Sequence, residues 1–375
     1  MHISSHFDSG NIRVINAESP SNIVLGINKD NASDFYQWFH FRLATDPFET
    51  HKITITELAK SAYPDGWQDY NVLASYDRQE WFRIESQFDG DNLSFEFTPE
   101  HPSVYFAYFI PYSYERHLDL ISDAQMYLDC QHYLLGQTLD GRDMSMLVVG
   151  EPTPEKKKIW ITARQHPGET MAQWCAEGLL YRLLDEDDGL ARSLLNDAVF
   201  YIIPNMNPDG AARGHLRTNA VGTNLNREWA QPTAEKSPEV LYVLNAMSEI
   251  GVDMYLDLHG DEALPYNFVA GSEGIPAYNE RLKHLEDTFK QALLTATPEF
   301  QDKFGYPKDK PGEANLTVAS NAVGQRFECL AYTFEMPFKD NADLPDTAFG
   351  WSVPRCRQLG EDLLVAIRAV APQLR

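Results

Sequence analysis

Positive charge is scarce in this chain. Against 55 Asp and Glu stand 31 Lys and Arg, a formal charge of −24 over 375 residues. Nucleic acid and anionic membrane both require a basic footprint on the protein they bind, so neither is expected as a partner. An anionic substrate group would need a local basic pocket to overcome the field of the body. Cysteine is sparse as well. Cys130, Cys175, Cys329 and Cys356 show no paired spacing, which argues against a disulfide framework and for reduced core thiols. No apolar run approaches the ~20 residues of a membrane helix. Met1-His2-Ile3-Ser4-Ser5-His6 has no basic segment leading into an apolar one, so no secretory signal is visible and a cytoplasmic location is expected. Internal repeats and long flexible linkers are absent too, and nothing signals an oligomeric state.

What is present is enough apolar side chain for more than one core: 43% of residues are hydrophobic, over a length that suits two domains. Residues 1–115 read as all-β. Phe39, Phe41 and Leu43 alternate with polar neighbours, as do Ile53 and Ile55, and Leu93, Phe95 and Phe97. Turn signals at Pro64-Asp65-Gly66 and Asp89-Gly90-Asp91 separate such runs, the pattern of an antiparallel sandwich. The aromatic residues here (Trp38, Phe39, Trp81, Phe82, Tyr105, Phe106, Tyr108, Phe109) read as sandwich core in preference to a binding surface. From 116 to 375 strand-like runs alternate with amphipathic segments. The strands expected are Met144–Val149, Lys158–Ala163, Ala198–Pro204, Val252–Leu258, Tyr266–Ala270 and Leu330–Met336. Helical spacing marks Tyr278 to Leu293 and Leu359 to Val370. This alternation predicts an α/β sheet with helices on both faces.

Chemistry concentrates at Gln165-His166-Pro167-Gly168-Glu169-Thr170, between a strand-like run and a helix-like run starting near Met171. An imidazole and a carboxylate three residues apart on such a turn can point at one ion, and this donor pair suits zinc. His259, closing the next apolar strand, is the candidate for a third ligand. A His-x-x-Glu pair alone is a weak signal. Between these positions lie loops dense in Asn, Gly and Arg, with Arg213, Arg217 and Arg227 within fifteen residues. They are either scattered surface arginines or a carboxylate grip by Arg227 and Asn226, with Arg217 free to stabilise an oxyanion. Glu335 stands alone in the apolar run Ala331–Pro337. A buried unpaired carboxylate is costly, so Glu335 has a cation nearby or reaches a cleft beside the metal, where it could serve as general base.

Taken together, His166-x-x-Glu169, Asn226-Arg227, His259 and Glu335 in Thr-Phe-Glu resemble the zinc carboxypeptidase family related to carboxypeptidase A, itself a standard His₂Glu zinc site. Over nearly the whole chain the similarity is to its cytosolic carboxypeptidase subfamily, through Phe7-Asp8-Ser9-Gly10-Asn11, Trp38-Phe39-His40-Phe41-Arg42 and Tyr105–Tyr112. The resemblance implies a mixed-sheet α/β zinc carboxypeptidase domain (116–375) preceded by an antiparallel β-sandwich domain (1–115). It implies one zinc ion held by His166, Glu169 and His259, with Glu335 taking the proton of the attacking water and Arg217 holding the oxyanion. Asn226 and Arg227 would bind the terminal carboxylate of a peptide or protein substrate, which makes the enzyme an exopeptidase.

Two departures stand out. Where the family often has an Asp two residues before the Asn-Arg pair, as partner of the first histidine, this chain has Asn224. The family's substrate-capping tyrosine has no evident counterpart: Ala314 to Phe327 contains none, and Tyr306 upstream is offered only as a candidate. The subfamily resemblance implies acidic C-termini such as glutamate tails. Arg326 and Lys339 are the cations considered for that pocket, while Asp261 and Glu262 beside His259 oppose it. The alternative activity is a zinc amidohydrolase of small N-acyl amino acids, against which the intact sandwich speaks. A non-catalytic binding module is opposed by Glu335.

Overall fold

The computed structural model describes all 375 residues. Two five-stranded sheets occupy the chain up to Ala107. The first runs in the order His2–Ser4, His40–Ala44, Ser103–Ala107, Val72–Ser75, Phe82–Ile84, with every pair antiparallel. The second runs Arg13–Ser19, Asn22–Gly26, His51–Ile55, Leu93–Phe97, Gln87–Phe88. Its Asn22–Gly26 and His51–Ile55 strands are parallel, unlike the others. The chain passes through the first sheet between them, and that long crossover lets it return in the same direction. Alternation places Phe95 and Phe97 of the second sheet 5.4 and 5.7 Å, ring to ring, from Phe106 of the first. The aromatic residues of this half are therefore largely sandwich core.

A seven-stranded mixed sheet follows, ordered Cys130–Gln137, Asp143–Val149, Ala198–Ile203, Lys157–Ala163, Met254–Asp261, Leu330–Pro337, Phe268–Ala270. The four strands from Ala198–Ile203 to Leu330–Pro337 are parallel and the flanking pairs antiparallel. Burial on both faces explains why the central strands read as nearly continuous apolar runs. Ile159 and Ile161 join a large core under the helices Thr170–Leu183, Glu280–Ala296 and Val353–Val370. Trp160 faces a smaller core under Pro238–Ile250 and Ala319–Phe327. The edge strand Cys130–Gln137 was not among the expected strands. It is half exposed, with Tyr133 and Leu134 open to solvent and a bulge before Gly136, so its apolar residues do not alternate.

The large core is continuous with the sandwich: Tyr108 lies 4.8 Å, ring to ring, from Phe338 just beyond the Leu330–Pro337 strand. Arg83 of the sandwich donates to the carbonyls of Phe338 and Lys339 at 2.7 and 2.8 Å. No helix is long and apolar enough to cross a membrane.

Helices Thr170–Leu183 and Val353–Val370 meet backbone to backbone. A Cβ on Gly360 would collide with the Cys175 carbonyl, and one on Gly178 with the Arg357 carbonyl. Gly360→Ala should therefore lower stability by about 1–3 kcal/mol, the usual cost of overpacking. Urea unfolding reads this, and an unchanged midpoint would show that the helices can separate freely.

Candidate active site

The Lys157–Ala163 strand ends one residue before Arg164, whose backbone is left-handed (φ 61°) and whose buried guanidinium clasps the turn that follows. It donates to the carbonyl of Pro167 at 2.9 Å, the carbonyl of Tyr112 at 2.7 Å and Gln173 Oε1 at 2.8 Å. His166 lies inside this turn, and Glu169 is the residue from which the helix Thr170–Leu183 starts. A carboxylate at that position would ordinarily cap the helix, but Glu169 makes no capping bond. Its oxygens instead sit 2.6 Å from His166 Nδ1 and 2.7 Å from His259 Nδ1, while Gly260 N–H donates to it at 3.1 Å. The two Nδ1 atoms face each other at 3.2 Å. All three side chains are buried, and their ligand atoms lie within 4.8 Å of one another.

The outward nitrogens are held too. His259 Nε2 donates to Asp257 Oδ2 at 2.7 Å, and His166 Nε2 to Asn224 Oδ1 at 3.1 Å. Both bonds place a proton on Nε2 and turn Nδ1 toward the centre, the orientation metal-binding imidazoles require. Burial lowers the His166 pKa to about 4, keeping the ring neutral. Burial also pushes Glu169 up and His259 down, but in each case the facing charges outweigh it: the imidazoles hold Glu169 low, and the Asp257 and Glu169 carboxylates raise His259. Two buried acids around two imidazoles form a donor set deficient in positive charge, which a divalent cation fits.

Beside the cluster is a cavity of about 600 Å³. The parallel register sets Glu335 opposite His259 on the next strand. Its Oε1 lies 3.2 Å from the Tyr306 hydroxyl, which is 2.7 Å from Asp261 Oδ2, and its Oε2 is buried with no partner. Burial pushes the Glu335 carboxyl up to about 8; His259 pulls it down, and Glu169 and Asp261 push it up again.

Arg217, Asn226 and Arg227 line the same cavity. Ala319 N–H donates to Asn226 Oδ1 at 2.8 Å, leaving the amide NH₂ as a donor for the cavity. The Arg227 pKa is lowered, first by burial and then by Arg217, so the two guanidiniums repel each other without an anion between them. Asp261 and Glu262 also line the cavity, whereas Arg326 and Lys339 do not. Arg326 sits over the Phe327 ring, and Lys339 reaches the Asp65 carbonyl. The lysines that do line it include Lys303 and Lys308, the latter paired with Glu273 at 2.7 Å.

Asp257 is the functional residue that sequence reasoning passed over. The signal was there, because a residue two before His259 on a strand shares its face. Its carboxylate also accepts from Gln165 and from Thr162 at 2.7 Å, and Trp229 donates to Gln165 at 2.8 Å. Tyr63, from the sandwich, lines the cavity with no comparable signal.

Comparison with known proteins adds to this geometry. Residues 124–355 match the family model described as zinc carboxypeptidase, and residues 3–109 that of the cytosolic carboxypeptidase N-terminal domain. A crystal structure from Shewanella denitrificans, described as a candidate carboxypeptidase A, is 53% identical with a TM-score of 0.99 and full coverage of both chains. A metallo-carboxypeptidase from Pseudomonas aeruginosa, in complex with (2-guanidinoethylmercapto)succinic acid, is 47% identical with a TM-score of 0.98 and full coverage of both. Cytosolic carboxypeptidase 6 of Caenorhabditis elegans is 28% identical over 370 residues, covering 88% of this chain and 77% of that protein.

Asp257→Asn should weaken metal retention by about 10- to 100-fold, the usual effect of losing a ligand's outer partner. Titration with a competing chelator measures this. Wild-type retention would mean that Gln165 and Thr162 hold His259 indirectly without the Asp257 charge.

Proposed function

The chain belongs to the zinc carboxypeptidase family, and from that premise we propose that it removes the C-terminal residue of peptides or proteins, with zinc held by His166, Glu169 and His259. As a member it is a metallocarboxypeptidase, a hydrolase of the exopeptidase class. The observation that carries the proposal is the convergence of two Nδ1 atoms and one carboxylate, all buried, beside a cavity lined by Glu335, Arg217 and Arg227. When bound, zinc supplies the Lewis acidity that makes water a nucleophile near neutral pH. Glu335 takes the water proton on its unpartnered Oε2 and delivers it to the leaving amine; a base whose proton affinity lies near the working pH suits both steps. Arg217 donates to the scissile carbonyl oxygen as negative charge develops there. Arg227 and the Asn226 amide grip the terminal carboxylate, and Tyr306 closes over the substrate beside Glu335. In this reading residues 116–375 form the catalytic domain and 1–115 the sandwich domain, and the protein works in the cytoplasm.

A preference for C-terminal glutamate extends the proposal. It would rest on Lys308, from which an acidic side chain must displace Glu273. A peptide library varying the last residue, incubated with zinc-loaded protein, tests activity and preference together. Hydrolysis of N-acetyl-aspartate in place of a blocked dipeptide would favour the amidohydrolase alternative.

Glu335→Gln should keep its zinc and lose turnover by about 10²–10⁴-fold, the range of a general base. Full activity in that variant removes Glu335 from the chemistry. Arg227→Ala should chiefly raise KM for peptides with a free C-terminus. Equal cleavage of amidated peptides by the wild type would show that no terminal carboxylate is read.

A further inference from the structure

Arg217 makes no salt bridge and no side-chain hydrogen bond of its own, although Glu169 and Glu262 lie near enough to act on its charge; its hydrogen bond runs from the backbone N–H. What holds it comes from the other end of the chain. The N–H groups of Leu216, Arg217 and Thr218 all donate to the carboxylate of Asp30, at 2.7, 2.8 and 2.9 Å, and the Thr218 hydroxyl adds a fourth bond at 3.1 Å. Asp30 is 3% exposed and lies in the turn after the sandwich strand Asn22–Gly26. Around it, Asn11 donates to the Gly214 carbonyl at 3.0 Å, and the Asn31 side chain to the Ala220 carbonyl at 2.6 Å. The rings of Phe35 and Tyr63 lie 5.7 and 5.4 Å from the Arg217 guanidinium carbon, within range of cation–π attraction. From the opposite side, Gly168 N–H in the His166 turn donates to the Leu216 carbonyl at 2.9 Å. The loop carrying Arg217 is thus spanned between the sandwich and the candidate metal turn.

We propose that Asp30 is a positioning residue for Arg217, with Phe35 and Tyr63 as the platform on which the guanidinium lies. The sandwich is then part of the catalytic apparatus as well as a structural partner. A carboxylate suits this task because its two oxygens accept from several N–H donors at once, and a charged acceptor makes each bond stronger. The cation–π platform supplies direction without neutralising the charge, as a salt bridge would, so Arg217 stays available to an oxyanion. The inference rests on the reading of Arg217 as oxyanion donor.

The test is a double-mutant cycle on zinc-loaded full-length protein, with kcat and KM measured for wild type, Asp30→Ala, Arg217→Ala and the double variant. Arg217→Ala should lower kcat by about 10²–10³-fold. Asp30→Ala should lower kcat by about 10- to 100-fold with KM within about twofold, since only a transition-state contact is misplaced. In the Arg217→Ala background it should cost no more than about twofold. Asp30→Asn should recover part of the loss, because an amide oxygen in the Oδ2 position keeps three of the four bonds. A loss from Asp30→Ala that persists in full without Arg217 would overturn the proposal, as would an unchanged kcat in Asp30→Ala. If Arg217→Ala itself keeps wild-type kcat, the oxyanion reading fails and the proposal with it, a result distinct from the other two. Should Asp30→Ala not fold, Phe35→Leu replaces it: a loss of kcat of about 3- to 10-fold that vanishes without Arg217 supports the platform, and no loss overturns it.

Discussion

Two imidazole nitrogens 3.2 Å apart, with one carboxylate astride both, are the constraint around which the catalytic half is organised. His259 lies in the strand beside the one that leads into the His166 turn, so the sheet register and that turn together set the distance between them. That arrangement is costly by itself. Burying Glu169 and Asp257 removes two carboxylates from water, a penalty of several kcal/mol for each ion before pairing. Hydrogen bonds from Gly260, Gln165, Thr162 and His259 offset part of it, and a divalent cation at the centre would offset the rest. The buried Arg164, with three carbonyl-type acceptors and a left-handed backbone, bends the chain so that His166 and Glu169 face the same point.

The charge of the whole molecule gains meaning from the same cavity. At −24 the body repels anions. Most cations near the core are already spent on acids: Arg116 and Arg357 on Glu177, Arg142 on Asp209, Arg355 on Glu299 and Asp340. Arg217 and Arg227 have no such partner and line one cavity. Two guanidiniums without a salt-bridge partner, set in a cavity otherwise rich in acids, offer a site for a small anionic group at the end of a chain and not for anions at large. A free C-terminus has that form.

The sandwich and the mixed sheet share one core, and their junction lies beside the chemistry. Phe338 leaves the Glu335 strand and packs against Tyr108, while Tyr63 lines the cavity. Rearrangement of the sandwich would therefore be felt at the loop bearing Arg217, through bonds that cross more than 180 residues of sequence.

Local patterning was enough to read the alternation of strands and helices, the turn holding His166 and Glu169, and the lone acid at Glu335. Each rests on residues within one or two turns of one another, where periodicity carries the information. The Asp257 partner of His259 was equally local and went unread, because an acid in a strand shows its purpose only once the histidine nitrogen it serves is known. The parallel pairing of Asn22–Gly26 with His51–Ile55 and the half-exposed edge strand were hidden, since pairing direction and edge position depend on which distant segments become neighbours. The same holds for Asp30, Tyr63 and the closeness of Tyr306 to Glu335. By itself the sequence determined which groups can do chemistry; folding decided which of them touch, because a hydrogen bond acts over about 3 Å of space regardless of the length of chain between its ends.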